Sequence, residues 1–202
     1  MKRTALILIA AAMLMGCSHR PPQRLTLALE DDIVSLDPHA YDDEVTSSVL
    51  FNIYQGLVGF DPRMRIVLLL AERWENPNDL TWRFFLRPGI EFHDGRELQA
   101  EDVVFSLERA RGGRLGHYLS AIGQVRALDS RTVEVVTKEP SPILLNKLSF
   151  VAIVPRGSPD TIRHPVGTGP YVLSEYRLRE RLVLKSFSGY WGSGRRSQRR
   201  CT

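Results

Sequence analysis

Four of the five histidines in this 202-residue chain, His39, His93, His117 and His164, are its natural candidates for acid–base or metal chemistry. Zinc-type sites set paired ligands a few residues apart on one element, and these histidines form no such spacing. His93-Asp94 falls in a turn with no nucleophile motif beside it, so a catalytic role has nothing to act with. Adjacent acids stand at Asp31-Asp32, Asp42-Asp43 and Glu101-Asp102. Neighbouring side chains point in different directions, so such pairs read as caps and turns before they read as acid–base dyads. Gly167-Thr168-Gly169-Pro170 has neither a third glycine at the dinucleotide spacing nor a following Gly-Lys-Ser/Thr, and so is no phosphate cradle. There is no nucleophile elbow, zinc helix or P-loop. The residues therefore point to noncovalent binding, with no enzyme activity, cofactor or metal expected.

The elements that position these residues follow from periodicity. Trp82, Phe84 and Leu86 alternate with Arg83, Phe85 and Arg87, which predicts a strand with one apolar face. Pro88-Gly89 and Asp94-Gly95 are turn dipeptides. From Ala100, Val103, Val104, Leu107 and Ala110 recur at helical spacing, with Glu101 and Asp102 in a first turn whose dipole favours acids. Gln99 is a poor N-cap, so a frayed start is expected. Leu25, Leu27 and Leu29 alternate as a first strand. Asp42 or Asp43 caps a helix carrying Val45, Val49, Ile53 and Leu57 on one stripe. Asn76-Pro77-Asn78-Asp79 turns the apolar run 68–74 into the Trp82 strand as a hairpin. A second hairpin is expected over 126–136 around Asp129-Ser130, a short helix over 141–148, a buried strand over 150–154, and a last hairpin from Tyr171 and Leu173 to Leu182 and Leu184.

In combination these motifs resemble those of the bacterial extracellular solute-binding proteins of family 5, the peptide/nickel-type receptors of ABC importers. The resemblance rests on the run 80–106, on Leu36-Asp37-Pro38-His39, on Gln55-Gly56-Leu57-Val58, on Gly167-Thr168-Gly169-Pro170-Tyr171 and on Gly189-Tyr190-Trp191-Gly192. Three departures stand out: Gln99 replaces the usual threonine cap, Leu68-Leu69-Leu70 replaces a proline-bearing stretch, and Met15 takes the small-residue position before Cys17. The resemblance implies an α/β fold of the type II periplasmic-binding class, with mixed strands and flanking helices. Its first lobe would comprise residues 25–61 and 166–191, with an inserted subdomain over 62–165. Gly167, Thr168 and Gly169 would mark the crossing between lobes. Asp42, Asp43 and Glu44 would face the ligand and meet a cationic group, although simple capping explains the first two equally well. Tyr190 and Trp191 read as a packed aromatic pair.

The ends carry separate signals. Lys2 and Arg3, the apolar stretch 5–14 and Leu14-Met15-Gly16-Cys17 resemble a lipoprotein signal over 1–16, with Cys17 as the lipid-attachment site and 17–24 as a tether. A plain secretory signal remains the alternative. Residues 192–202 contain Arg195, Arg196, Arg199 and Arg200 without acids, and read as a solvated, disordered end. The whole chain has 27 basic and 23 acidic side chains; removing Lys2, Arg3 and these four arginines leaves 21 basic against 23 acidic. The basic excess therefore belongs to the termini and does not argue for a nucleic-acid partner. Cys17 and Cys201 make no disulfide framework.

The expectation is a lipid-anchored receptor on the extracytoplasmic face that captures peptides or similar solutes and hands them to a permease and its ATPases. Family members run to more than twice this length, so a truncated or frame-shifted form lacking the second lobe is expected, binding weakly because one wall buries little of a ligand. An envelope lipoprotein for sensing or adhesion, or a non-functional fragment, is the alternative.

Overall fold

Turn dipeptides between alternating apolar runs make this chain a series of hairpins. The computed structural model describes residues 25–192. The signal, tether, Cys17 and the arginine-rich end expected above lie outside the described residues, except Gly192. In chain order the elements are α1 (Glu44–Leu50), β1 (Val58–Phe60), β2 (Ile66–Leu68), β3 (Ala71–Asn78), β4 (Thr81–Leu86), α2 (Ala100–Arg111), β5 (Ile122–Asp129), β6 (Thr132–Thr137), α3 (Leu144–Leu148), β7 (Tyr171–Arg177) and β8 (Arg181–Ser186). A 3-10 turn at Arg114–His117 follows α2. Among the described residues the strands form a central sheet in the order β3-β4-β6-β5, flanked by the two-stranded pairs β1-β2 and β7-β8.

The alternating run behaves as its period requires. Trp82, Phe84 and Leu86 point into the core from β4, and Gly89 and Gly95 take positive φ at the two turns that follow it. Val103, Leu107 and Ala110 of α2 close over Val133 and Val135 of β6 in the larger hydrophobic cluster. A smaller cluster gathers Leu50, Ile53, Tyr54, Ala152, Val154 and Ile162. Residues 151–154 lie between the two: Val151 and Ile153 belong to the larger cluster, Ala152 and Val154 to the smaller.

Several expectations are corrected. Residues 25–29 are not a strand; Leu25 and Leu27 are 81% and 72% exposed, and no described strand runs beside them. Alternation selects a face, but a ladder needs a neighbour. Residues 150–154 are mostly buried yet form no ladder, because side chains and a loop take their backbone groups. Ile153 N–H donates to the Gln55 carbonyl (2.8 Å), Val154 N–H to Ser106 Oγ (2.9 Å), and the Ala152 carbonyl accepts from His39 Nε2 (2.8 Å). Helix α1 stops at Leu50, short of Ile53 and Leu57, because the Asn52 and Ile53 carbonyls accept from Tyr171 N–H (3.1 Å) and Gly169 N–H (2.8 Å). The start of α2 is not frayed. Asp102 accepts from Gln99 N–H (2.8 Å) and from Arg156 N–H (2.8 Å), and Ala100 N–H donates to the Ser130 carbonyl (2.9 Å). A carboxylate at the third helical position thus does what the Gln99 side chain was not expected to do. All ladders between the described strands are antiparallel rather than mixed; four join consecutive strands through hairpin-type connections, and β4 meets β6 across the longer connection that carries α2 and β5.

Candidate ligand-binding cleft

The N-terminus of α1 places three consecutive acids differently. Asp43 Oδ1 accepts from Thr46 N–H (2.8 Å) and caps the helix. Asp42 and Glu44, on either side, line an open cleft of about 640 Å³. Of the three acids expected to face a ligand, Asp43 is committed to the backbone through that oxygen. The cleft also takes Gln55 and Phe60 from the β1 region, Tyr118 after the 3-10 turn, Phe150 after α3, and Tyr190 near the described end. His117 Nε2 lies 3.9 Å from Asp42 Oδ2. Gln55 donates to the Tyr190 hydroxyl (3.1 Å) and accepts from Trp191 Nε1 (2.8 Å). The Tyr190-Trp191 pair therefore divides: Trp191 packs on the larger cluster, while Tyr190 faces the cleft.

Behind the cleft the Leu36-Asp37-Pro38-His39 loop is locked by a buried charge network. Arg109 on α2 donates to Asp37 Oδ1 (3.0 Å) and Oδ2 (2.5 Å), to His39 Nδ1 (2.8 Å), and to the carbonyls of Pro159 (3.0 Å) and Asp160 (2.9 Å). Asp37 also accepts from the N–H groups of His39 (3.0 Å) and Ile162 (3.1 Å). Burial alone would raise the Asp37 carboxyl, but these donors outweigh it and hold it below the usual carboxylate range. Sequence reasoning read this loop only as a family landmark. The missed signal was an Asp and a His, two apart, together with an arginine on an apolar helix.

Arg109 donates to His39 Nδ1 and the Ala152 carbonyl accepts from Nε2, so His39 is the neutral Nε2–H tautomer. Burial pushes its pKa down to about 4; the Ala152 hydrogen bond opposes this and the Arg109 charge adds to it. A folded pKa below the ordinary 6.5 means that acid favours the unfolded chain. The contribution of His39 is complete above about pH 6.5 and is lost as pH falls toward 4, by about 3 kcal/mol in all. Urea melts between pH 7 and pH 4 are expected to show this loss, and the variant His39→Gln to show a smaller pH dependence. An equal slope in both would refute the assignment.

Gly167, Thr168 and Gly169 form a strap between the Asn52-Ile53 segment just past α1 and the Asp94-Gly95 turn. The Gly167 carbonyl accepts from His93 N–H (2.9 Å), Gly167 N–H donates to His93 Nδ1 (3.3 Å), and His93 Nε2 lies 3.0 Å from the Gly169 carbonyl. His93 is thus a neutral structural pin with its pKa lowered by burial, its ring edge-on to Phe187 at 4.9 Å. Thr168 is fully buried. Among the described residues no group of three or more His, Cys, Asp or Glu is placed to hold a metal ion, and no helix is long and apolar enough to cross a membrane.

The described residues thus form an α/β scaffold with an open cleft lined by acids and aromatic rings. The profile of the bacterial extracellular solute-binding proteins, family 5 Middle, matches residues 65–199, and the chain belongs to that family. It is 34% identical over 181 residues to the glutathione-binding protein GsiB of Pectobacterium atrosepticum, a match covering 83% of this chain and 35% of GsiB. Among solved structures it is similar to AgaA in complex with agropinic acid from A. tumefacien R10 (TM-score 0.74, 28% identity, 81% of this chain and 36% of that one). It is also similar to the ABC transporter-associated periplasmic binding protein DppA from Helicobacter pylori in complex with the peptide STSA (TM-score 0.73, 27% identity, 80% of this chain and 38% of that one). The chain therefore spans little more than a third of the proteins it matches.

Proposed function

We propose that this chain supplies one wall of the solute-binding cleft of an ABC importer receptor that captures peptides or similar small solutes. The observation that carries the reading is the cleft of about 640 Å³ in a chain of this family; pockets of that size suit small ligands. Asp42 and Glu44 would hold a cationic group of the solute, while Gln55 and Tyr190 offer neutral hydrogen bonds. Capture is noncovalent: a second wall, which the longer relatives have chain length to provide, would close over the solute and exclude water. The strap at Gly167, Thr168 and Gly169 would carry the chain between lobes. Release would be to a permease driven by ATPases. The reading includes export and lipid attachment at Cys17, supported by the order of basic, apolar and cysteine residues at the start of the sequence. Labelled palmitate should enter the protein expressed in a bacterial host and fail to enter Cys17→Ser; label in both variants would overturn the anchor.

One wall buries only part of a ligand, so binding by this chain alone is weak. Saturation-transfer NMR with millimolar dipeptides is expected to detect binding that the double variant Asp42→Asn/Glu44→Gln reduces, and isothermal titration to find no micromolar affinity. Absence of any transfer at millimolar peptide would sink the solute-binding reading, and micromolar affinity would sink the single-wall account.

A further inference from the structure

We propose that the cleft selects solutes in which a positive group stands next to a planar apolar ring, with Tyr118 and Phe150 reading the ring. This deepens the solute-binding reading above and rests on it. The observation is a column of four rings drawn from three separate segments. His117 and Tyr118 are 4.0 Å apart between ring centroids, Tyr118 and Phe150 are stacked at 4.9 Å with an interplanar angle of 16°, and Phe60 leans on Phe150 at 5.9 Å. Rings gathered to fill a core are buried, yet Phe150 is 42% exposed while Val151, Ala152, Ile153 and Val154 beside it are buried. Phe150 therefore presents ring surface at the cleft wall that a ligand ring can cover.

One end of the column lies near a carboxylate. His117 begins it, and His117 Nε2 lies 3.9 Å from the Asp42 carboxylate. A solute cation paired with Asp42 therefore brings whatever is attached to it alongside the rings. Tyr41 offers no competing seat for that cation, because the Arg114 guanidinium already lies 5.5 Å above its ring. The acids and the rings thus act on adjacent parts of one ligand, as in a peptide whose N-terminal residue is aromatic. Offset or edge-on stacking of a ligand ring gives a preference of about fivefold over the same ligand without it.

The test is saturation-transfer NMR on the full chain with two dipeptides, one beginning with phenylalanine and the other with alanine. The phenylalanine peptide is expected to bind about fivefold more tightly. Phe150→Ala should bring that ratio to about one, and so should Phe150→Leu, which keeps apolar volume and guards against a folding defect. Equal binding of both peptides by the unaltered chain overturns the ring preference and leaves the solute-binding reading standing. Binding of neither overturns both, and a preference that survives both substitutions overturns the role given to Phe150.

Discussion

Replacing Arg109 with methionine is expected to lower the stability of the chain by about 3–5 kcal/mol, the usual consequence of removing one partner from a buried ion pair. Asp37 is 2% exposed, and its carboxylate would be left with only the N–H donors of His39 and Ile162. The carbonyls of Pro159 and Asp160 and the His39 ring would lose a donor in the same step. At this chain length such a loss lowers the melting temperature by roughly 10 °C. The substitution Asp37→Ala is expected to cost a similar amount, and the double variant less than the sum, because each single change strands the other charge. Urea denaturation of the four proteins measures this directly. A loss under about 1 kcal/mol for Arg109→Met, or strict additivity, would show that the network does not hold the loop. The loop bears on the proposed function because Pro38 and Tyr41 line the cleft.

The second large effect is expected from Gly167→Ala. A Cβ built at Gly167 stands 2.1 Å from the Ile53 carbonyl oxygen and 2.8 Å from its carbon, and both are backbone atoms that cannot rotate away. The strap would have to lift from the Asn52-Ile53 segment, straining the bonds from Gly169 N–H to Ile53 and from Tyr171 N–H to Asn52. A loss of about 3 kcal/mol is the upper part of the range for overpacking, and it belongs here because no flexible side chain can yield. Gly112→Ala is the control. Its Cβ would meet nothing closer than 3.7 Å, and no change beyond about 0.5 kcal/mol is expected. Thermal melts of the two variants separate the cases; equal melting temperatures would rule out the strap as a tight backbone contact.

Both predictions concern residues whose importance was unequally legible in the sequence. Gly167 and Gly169 lack a Cβ and so leave room for a close backbone approach, and the strap is one. Nothing local announced what it approaches, since Ile53 lies more than a hundred residues earlier in the chain. The acids at 42–44 were readable as cap or ligand group. Only the direction of each carboxylate separated Asp43, which caps α1, from Asp42 and Glu44, which line the cleft. Phe60, Tyr118 and Phe150 gave no sequence signal, because each stands alone in its segment and their stacking exists only after three elements pack.

Taken by itself, the order of residues decided what short-range physics controls: the alternation that makes β4, the dipeptides that turn it, the helical spacing of α2, the hairpin connections and the family to which the chain belongs. Tertiary structure decided everything that depends on a partner distant in sequence. It left residues 25–29 without a ladder, let Asp102 secure the start that Gln99 was not expected to hold, and set residues 151–154 between two clusters without making them a strand. The reason is the range of the forces. Periodicity and turn propensity act within a few residues, whereas hydrogen bonds, ion pairs and ring contacts are satisfied by whichever groups the fold brings near.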